Sequence, residues 1–331
     1  MSEPKSIHLP SLRQGVCLDL DSLHPSDLKL EKLKKSLTEW HFHGHTTQSQ
    51  LHERIAEAHV IITNKVEIDA AALAAAPDLK LICVAATGVN NIDLIACEEH
   101  GVTVVNCRNY GTASVVQHTF ALMLSLANQL PANRELLSDR KWQKAPHFAM
   151  LNHPPMQLAG KYIGIVGYGA LGKAVAHLAE ALGMVVLVAE RADAETIRPG
   201  RVAFKRVLKH ADVVTLHCPL TAETRDLIDA NALSLMKPDA LLINTARGGI
   251  VNEHALLDAL LSEKLGGAAT DVLSKEPPVN SNPLLEVSLP NLIITPHLAW
   301  GSQQSRQLLV DQVEENILAA KNGTPIRVVS H

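Results

Sequence analysis

One stretch limits the fold more than any other: Ile163-Gly-Ile-Val-Gly-Tyr-Gly-Ala-Leu-Gly-Lys-Ala-Val-Ala176. It opens with a short apolar run, Tyr162 to Val166, of strand length. The chain then turns through Gly167, Gly169 and Gly172. From Ala170 to Leu182 it reads as a helix of small residues, with Val175, Leu178 and Leu182 at helical spacing. A second apolar run, Met184 to Ala189, ends in Glu190. Strand, glycine turn, helix, strand and acid make the opening unit of a dinucleotide-binding fold. Gly167 allows the tight turn, Gly169 lets the backbone approach a pyrophosphate, and Gly172 lets helix and strand pack closely. The N–H groups at the helix start then face the phosphates. A lone G-x-G-x-x-G is weak evidence, but the flanking strand, helix and acid supply its context here.

The rest of the chain is built around this unit. A length of 331 residues exceeds one small domain, and 47% apolar residues suffice for two cores. The net charge of −4 is mild and unsegregated, which gives no footing for nucleic acid or an anionic membrane. The N-terminus carries Glu3 and Lys5 and does not read as a signal peptide. No apolar run has the length to span a bilayer. The five cysteines are odd in number and lack CxxC spacing. Cys17, Cys83 and Cys107 sit in or at the end of strand-like runs, as small buried hydrophobes. A soluble, reduced, cytoplasmic protein is expected.

Residues 1–14 read as a loose lead-in. Strands are then expected at Val16–Leu20, Trp40–His43, Val60–Thr63, Leu79–Ala85 and Val102–Asn106. Helices alternate with them at Leu28–Leu37, Gln50–Ala58, Ile68–Ala76 and Ile92–Glu99. This is a parallel α/β domain, complete before the glycine motif begins. Ser114–Gln129 is a helix apolar almost all round, expected to lie buried between domains or subunits. From Pro131 to Pro155 the periodicity fails. Trp142, Phe148 and Met150 stand in this arm and suggest contact with a second subunit. The second α/β domain opens at Gly160. Its strands are Tyr162–Val166, Met184–Ala189, Val202–Phe204, Val213–His217, Leu241–Asn244, Gly267–Asp271 and Leu292–Thr295. A long amphipathic helix, Ser302–Ala320, is expected to return to the first domain. His41, His43 and His45 alternate as on one strand face, which reads as a solvated edge and not as a metal site.

Ligands of open α/β sheets bind beyond the carboxyl ends of strands. Three such ends carry polar groups: Asn244-Thr-Ala-Arg-Gly-Gly249, Thr270-Asp-Val-Leu-Ser-Lys-Glu-Pro-Pro278 and Thr295-Pro-His-Leu-Ala-Trp300. With Thr63-Asn-Lys65, Ala86-Thr-Gly-Val-Asn-Asn-Ile-Asp93, Tyr110-Gly-Thr-Ala-Ser-Val-Val-Gln-His118 and His217-Cys-Pro-Leu-Thr221, they resemble the D-2-hydroxyacid dehydrogenases. The likeness is to the glycerate dehydrogenase/hydroxypyruvate reductase group and runs from about Leu18 to the last helix. Several ordered motifs are more specific than any one of them.

The resemblance implies two doubly wound parallel-sheet domains. A Rossmann cofactor domain, 110–299, would be inserted into a flavodoxin-like substrate domain, 1–109 plus 300–331. The active site would be the cleft, closed by movement about Asn106–Thr112 and Ala299–Ser302. The implied reaction is reversible reduction of a small 2-oxo acid, hydroxypyruvate or glyoxylate, to the D-2-hydroxy acid. Arg247 would clamp the substrate carboxylate and polarise the keto oxygen, a task suited to a guanidinium fork. His297 would protonate the carbonyl oxygen. Glu276 would hold its other ring nitrogen and favour the protonated form that ketone reduction needs. Asp271 would accept from the nicotinamide carboxamide. Thr112, Ala170, Leu171, Cys218, Pro219, Thr224, Thr245 and Ala246 would line the cofactor with the three glycines. Thr87, Gly88 and Val89 would bind the substrate carboxylate through their backbone, and Trp300 would wall the substrate pocket or pack between the domains.

The cofactor signals are mixed. Glu190 stands where an acid takes the adenosine ribose hydroxyls and repels a 2′-phosphate, which favours NAD. Arg191 follows and can instead take that phosphate. NADH is expected to be preferred, with NADPH still used. A homodimer is expected, with no metal, nucleic acid or membrane partner. A rival reading is a dinucleotide-sensing corepressor of the C-terminal binding protein type, which resembles the same family. The chain has no basic patch, long tail or low-complexity extension to support it.

Overall fold

The computed structural model describes residues 12–138 and 140–329. The lead-in expected over residues 1–14 lies outside the described residues as far as residue 11. Beyond it the chain is not loose: Leu12 is buried and Gln14 opens the first strand. The chain forms two compact units, Met1–Gly111 with Gly301–His331, and Thr112–Trp300.

The first unit holds β1 (Gln14–Cys17), β2 (Glu39–Phe42), β3 (Val60–Thr63), β4 (Leu81–Val84) and β5 (Thr103–Val105). All pair in parallel, in the order β2-β1-β3-β4-β5. Every residue of β3 and β4 is buried, as a parallel sheet covered on both faces requires. At the edge, β2 alternates between exposed and half-buried, and His41 Nε2 lies 3.1 Å from Glu39. Its helices are α1 (Glu31–Lys35), α2 (Gln48–Ile55), α3 (Ala70–Ala74) and α4 (Leu94–Glu99). Asp69 and Asp93 cap α3 and α4 by accepting from Ala72 N and Ala96 N. The expected helix Leu28–Leu37 shrinks to α1. Leu28 is still extended, and the Ser36 hydroxyl folds back on Leu33 O at 2.7 Å.

The second unit holds β6 (Tyr162–Val166), β7 (Val185–Val188), β8 (Val213–Leu216), β9 (Leu241–Asn244), β10 (Gly267–Thr270) and β11 (Leu292–Ile294). All are parallel, in the order β11-β10-β9-β8-β6-β7. The winding reverses between β6 and β8, which opens a crevice at their carboxyl ends. Its helices are α5 (Thr112–Ala127), α6 (Leu130–Ser138), α7 (Ala170–Ala181), α8 (Phe204–His210), α9 (Ala230–Ser234) and α10 (Glu253–Leu261).

Three expectations for this unit need correction. Val202–Phe204 is not a strand: Val202 makes a single bridge to Ala189, and Phe204 already begins α8. The helix expected between domains or subunits, α5, is a layer of this unit's own core. Its Phe120, Leu122, Met123 and Leu126 pack with Ile163, Ile165, Val175 and Ile243. The arm begins with a helix, α6, because Pro131 falls in its first turn, where the missing N–H costs nothing. Farther on, Trp142 Nε1 donates to Phe148 O at 2.9 Å, while the Phe148 ring is 93% exposed.

The last helix, α11 (Gln303–Lys321), belongs to the first unit. Its Leu309, Val310, Val313 and Ile317 are buried, and Arg306 forks onto Asp27 at 2.7 and 2.8 Å. Among the described residues no helix is long and apolar enough to cross a membrane.

Candidate active site

The turn after β6 is made by close approach. Gly167 has φ +94°, and a Cβ there would lie 2.5 Å from the backbone of His217 and Cys218. The loops after β6 and β8 therefore meet where only glycine fits. A Cβ on Gly172 would lie 2.0 Å from the Gly167 carbonyl oxygen, so Gly172 keeps the inside of the turn clear. Gly169 differs: a Cβ would meet nothing within 4 Å. It is the N-cap of α7 and has no side chain to cap it, so the N–H groups at Ala170 and Leu171 are left for an anion. This cradle fits a dinucleotide pyrophosphate.

Across the crevice, the Thr224 hydroxyl donates to Pro219 O and accepts from Thr221 N, both at 2.7 Å, which fixes the loop after β8. Burial pushes the Cys218 thiol up, so it presents a neutral apolar surface. Behind it, burial pushes the His217 imidazole down to about 4.

Glu190 ends the run of β7 and is 4% exposed. Its carboxylate accepts from Arg191 N at 2.9 Å, and from Arg198 N and Nε at 3.2 and 2.7 Å. Arg198 Nη2 donates to Oε1, the oxygen that also accepts from Arg191 N, and Arg201 Nε stands 3.9 Å from Oε2. The Arg198 guanidinium holds the Glu190 carboxyl down at about 2. Arg191, the arginine singled out in the sequence, offers its backbone N–H, and its side chain is exposed. Sequence reasoning missed Arg198 and Arg201. The signal available was a run of arginines in a polar loop, but only the fold returns them to the strand end.

The ends of β9, β10 and β11 lie side by side. After β9, Asn244 curls the chain by accepting from Ala246 N at 3.1 Å and donating to Arg247 O at 3.0 Å. The hydroxyls of Thr245 and Thr119 are 2.9 Å apart. Arg247 is half-buried, and its Nη1 donates to Ala246 O at 2.7 Å. A Cβ on Gly248 would lie 1.8 Å from Leu273 O, so the loops after β9 and β10 touch.

Glu276, in the loop after β10, accepts from Leu273 N at 2.8 Å and from His297 Nδ1 at 2.5 Å. A carboxylate only accepts, so Nδ1 carries a proton and Nε2 is the ring atom left to exchange one. His297 has φ +52°, a left-handed conformation that costs a non-glycine residue roughly 1–2 kcal/mol. Asp271 holds it there. His297 N donates to Asp271 O at 2.8 Å. The Asp271 carboxylate, 2% exposed, accepts from Leu298 N, Ala299 N and the Thr295 hydroxyl at 2.9, 2.8 and 2.6 Å. Asp271 thus serves the loop of His297, a role the sequence did not suggest.

Thr112 opens α5, and Trp300 follows the histidine loop, half-buried. Thr87, Gly88 and Val89 follow β4 in the first unit. The Thr87 hydroxyl donates to Cys107 O at 2.9 Å, and Thr87 O accepts from Asn106 Nδ2 at 2.7 Å.

Residues 120–299 match the family model for the NAD binding domain of the D-isomer specific 2-hydroxyacid dehydrogenases. The chain is 44% identical over 283 residues to a glycerate dehydrogenase of Methylorubrum extorquens, covering 86% of this chain and 89% of that one. It is 34% identical over 321 residues to a hydroxypyruvate reductase of Blautia hydrogenotrophica, covering 95% and 99%. Among solved structures it is similar to the D-lactate dehydrogenase of Aquifex aeolicus complexed with NAD and lactic acid. That TM-score is 0.78 at 26% identity, over 95% of this chain and 100% of the other.

Proposed function

Because the chain belongs to the D-isomer specific 2-hydroxyacid dehydrogenases, NAD-dependent enzymes, we propose that it reduces hydroxypyruvate or glyoxylate to the D-2-hydroxy acid. The observation that carries this reading is the His297–Glu276 pair, 2.5 Å apart through Nδ1, with Nε2 left over. Bound NADH supplies the hydride. His297 Nε2 gives its proton to the carbonyl oxygen, and Glu276 keeps the ring oriented and stabilises the charged imidazole. Arg247 pairs with the substrate carboxylate and draws charge toward the keto oxygen. The backbone at Thr87, Gly88 and Val89 supplies further donors to that carboxylate, and Trp300 limits the length of the acid.

The unit Thr112–Trp300 is read as the cofactor unit. Gly167, Gly169, Ala170, Leu171 and Gly172 receive the pyrophosphate, and Glu190 the adenosine ribose. Thr112, Cys218, Pro219, Thr224, Thr245 and Ala246 line the rest. Asp271 faces the nicotinamide carboxamide as well as its own loop. NADH is the better substrate and NADPH is accepted.

The working form is a homodimer. The support lies in the arm, where Leu130, Leu137, Trp142, Phe148 and Leu151 are exposed, and not in α5, whose apolar face is already covered. Five thiols, none in a disulfide, support the reducing cytoplasm as its compartment.

A panel of hydroxypyruvate, glyoxylate and pyruvate against NADH and NADPH tests the reading. Turnover of hydroxypyruvate or glyoxylate with NADH is expected. NADH binding with no turnover of any 2-oxo acid would overturn it in favour of a sensing role.

A further inference from the structure

Helix α5 carries a histidine with no part in the reaction as described. His118 is mostly buried, and its Nε2 lies 2.9 Å from Thr295 Oγ1 and 3.6 Å from Asp271 Oδ1. The Thr295 hydroxyl is 2.6 Å from the same carboxylate oxygen. Both oxygens of Asp271 already accept backbone N–H groups, from Leu298 and Ala299. A carboxylate so placed can only accept, so the single hydroxyl proton goes to Asp271. Thr295 Oγ1 is then an acceptor toward His118, and His118 Nε2 must carry a proton. The hydrogen bonds run in one direction, from His118 through Thr295 to Asp271.

The same helix grips the loop a second time. Ser114 Oγ donates to Ala299 O at 2.7 Å. Residues 114 and 118 are one turn apart and share a helix face. They hold the segment Thr295–Ala299 at both ends, with left-handed His297 between them. The preceding strand cannot do this alone. It has three residues, all half-buried, and it pairs with β10 on one side only. Helix α5, by contrast, is anchored in the core through Phe120 and Met123.

We propose that His118 is a positioning residue: through Thr295 and Asp271 it holds the left-handed turn that aims the His297 imidazole. This rests on His297 being the proton donor.

The test uses the full chain, NADH and hydroxypyruvate. Steady-state rates and the NADH dissociation constant are measured for His118→Ala, His118→Gln, Thr295→Val and the double variant His118→Ala/Thr295→Val. His118→Ala should lower kcat about ten- to a hundredfold, the scale of a small misplacement of a reacting group. The NADH dissociation constant should stay within about twofold, since His118 and Thr295 touch none of the residues assigned to the pyrophosphate or the adenosine ribose and leave the Asp271 carboxylate in place. His118→Gln, which restores an N–H donor, should recover most of the rate. Thr295→Val should lose as much as His118→Ala, and the double variant no more than the worse single one, because both cut one chain of bonds. A native kcat in His118→Ala, or losses that add in the double variant, overturns the proposal. Should His118→Ala fail to fold, Thr295→Val against Thr295→Ser decides: loss in the first with recovery in the second supports it, and a native rate in the first overturns it. His297→Ala is the control. If that variant keeps its rate, the proton-donor reading itself fails. If it loses its rate while His118→Ala does not, only the role of His118 falls.

Discussion

Asp19 follows β1 in the first unit, and its carboxylate accepts from the N–H groups of Asn64 and Lys65 in the loop after the neighbouring strand β3. Asp271 follows β10 in the second unit, and its carboxylate accepts from Leu298 and Ala299 in the loop after the neighbouring strand β11. Both are buried, 7% and 2% exposed. The bonding pattern is shared, but the loads differ. In the first unit the fastened loop leaves an interior strand, every residue of which is buried. None of residues 63–67 is left-handed. That edge opens on a cavity of about 490 Å³ lined by Asp21, Ser22, His45 and Lys65 among others. In the second unit the fastened loop leaves a three-residue edge strand and contains a left-handed histidine. A carboxylate gripping backbone amides is thus a general way to close a strand end. In the second unit the same grip also holds a left-handed residue in place beyond a strand of three residues.

The largest expected effect is at the loop itself. His297→Ala should lower hydroxypyruvate reduction by about two to four orders of magnitude, the share of a general acid, with NADH binding nearly unchanged by fluorescence titration. A native rate would place the chemistry elsewhere. Next comes Arg247→Lys at the adjoining strand end. It keeps the charge and loses the fork, so KM should rise and kcat fall, together about a hundredfold in kcat/KM. An unchanged KM would remove Arg247 from the substrate.

The comparison is tested directly by Asp271→Asn against Asp19→Asn. Each turns an acceptor oxygen into an N–H facing another N–H, which should cost about 1–3 kcal/mol of stability in either unit. Only Asp271→Asn should also lower kcat, by about tenfold or more. Equal losses of kcat in both would mean that the two fastenings are not different in use.

The smallest effect concerns Glu190, a strand-end carboxylate gripped by a side chain as well as by amides. Its folded pKa is depressed to about 2, below its ordinary value of 4.5. It therefore contributes stability above the unfolded value and loses it as pH falls toward the folded one. Arg198→Ala should move that acid loss to higher pH, read as Tm between pH 5 and 2. The same variant should increase the preference for NADH over NADPH several-fold, about the scale of one charge contact. No change in either would make the Arg198 contact incidental.

Much of this was readable before the fold was known. The glycine turn and the buried parallel strands announce themselves as apolar runs bounded by turn residues. Arg247, Glu276 and His297 stand out as polar groups just past such runs. What could not be read depends on pairing across distance. His118 and Thr295 are 177 residues apart, and nothing local to either marks the bond. Arg198 reaches Glu190 through an irregular loop with no periodicity. The short strand expected over Val202–Phe204 is lost because its length is set by neighbours, one bridge to Ala189 being all that forms. Helix α6 was hidden because proline reads as a breaker unless its place in the first turn is known.

The arginines around Glu190 have a consequence beyond the choice of cofactor. Two guanidinium groups, Arg198 and Arg201, stand against one carboxylate at the end of β7, and the exposed Arg191 follows it. The segment 190–201 also carries Asp193 and Glu195, so three acids offset its three arginines on a chain whose net charge is −4. A dinucleotide arrives as an anion, and a segment so balanced exerts no long pull on it before contact. What each guanidinium offers is felt only within about 8 Å at physiological ionic strength. Capture of the dinucleotide at this end of the crevice should thus change little as salt is added.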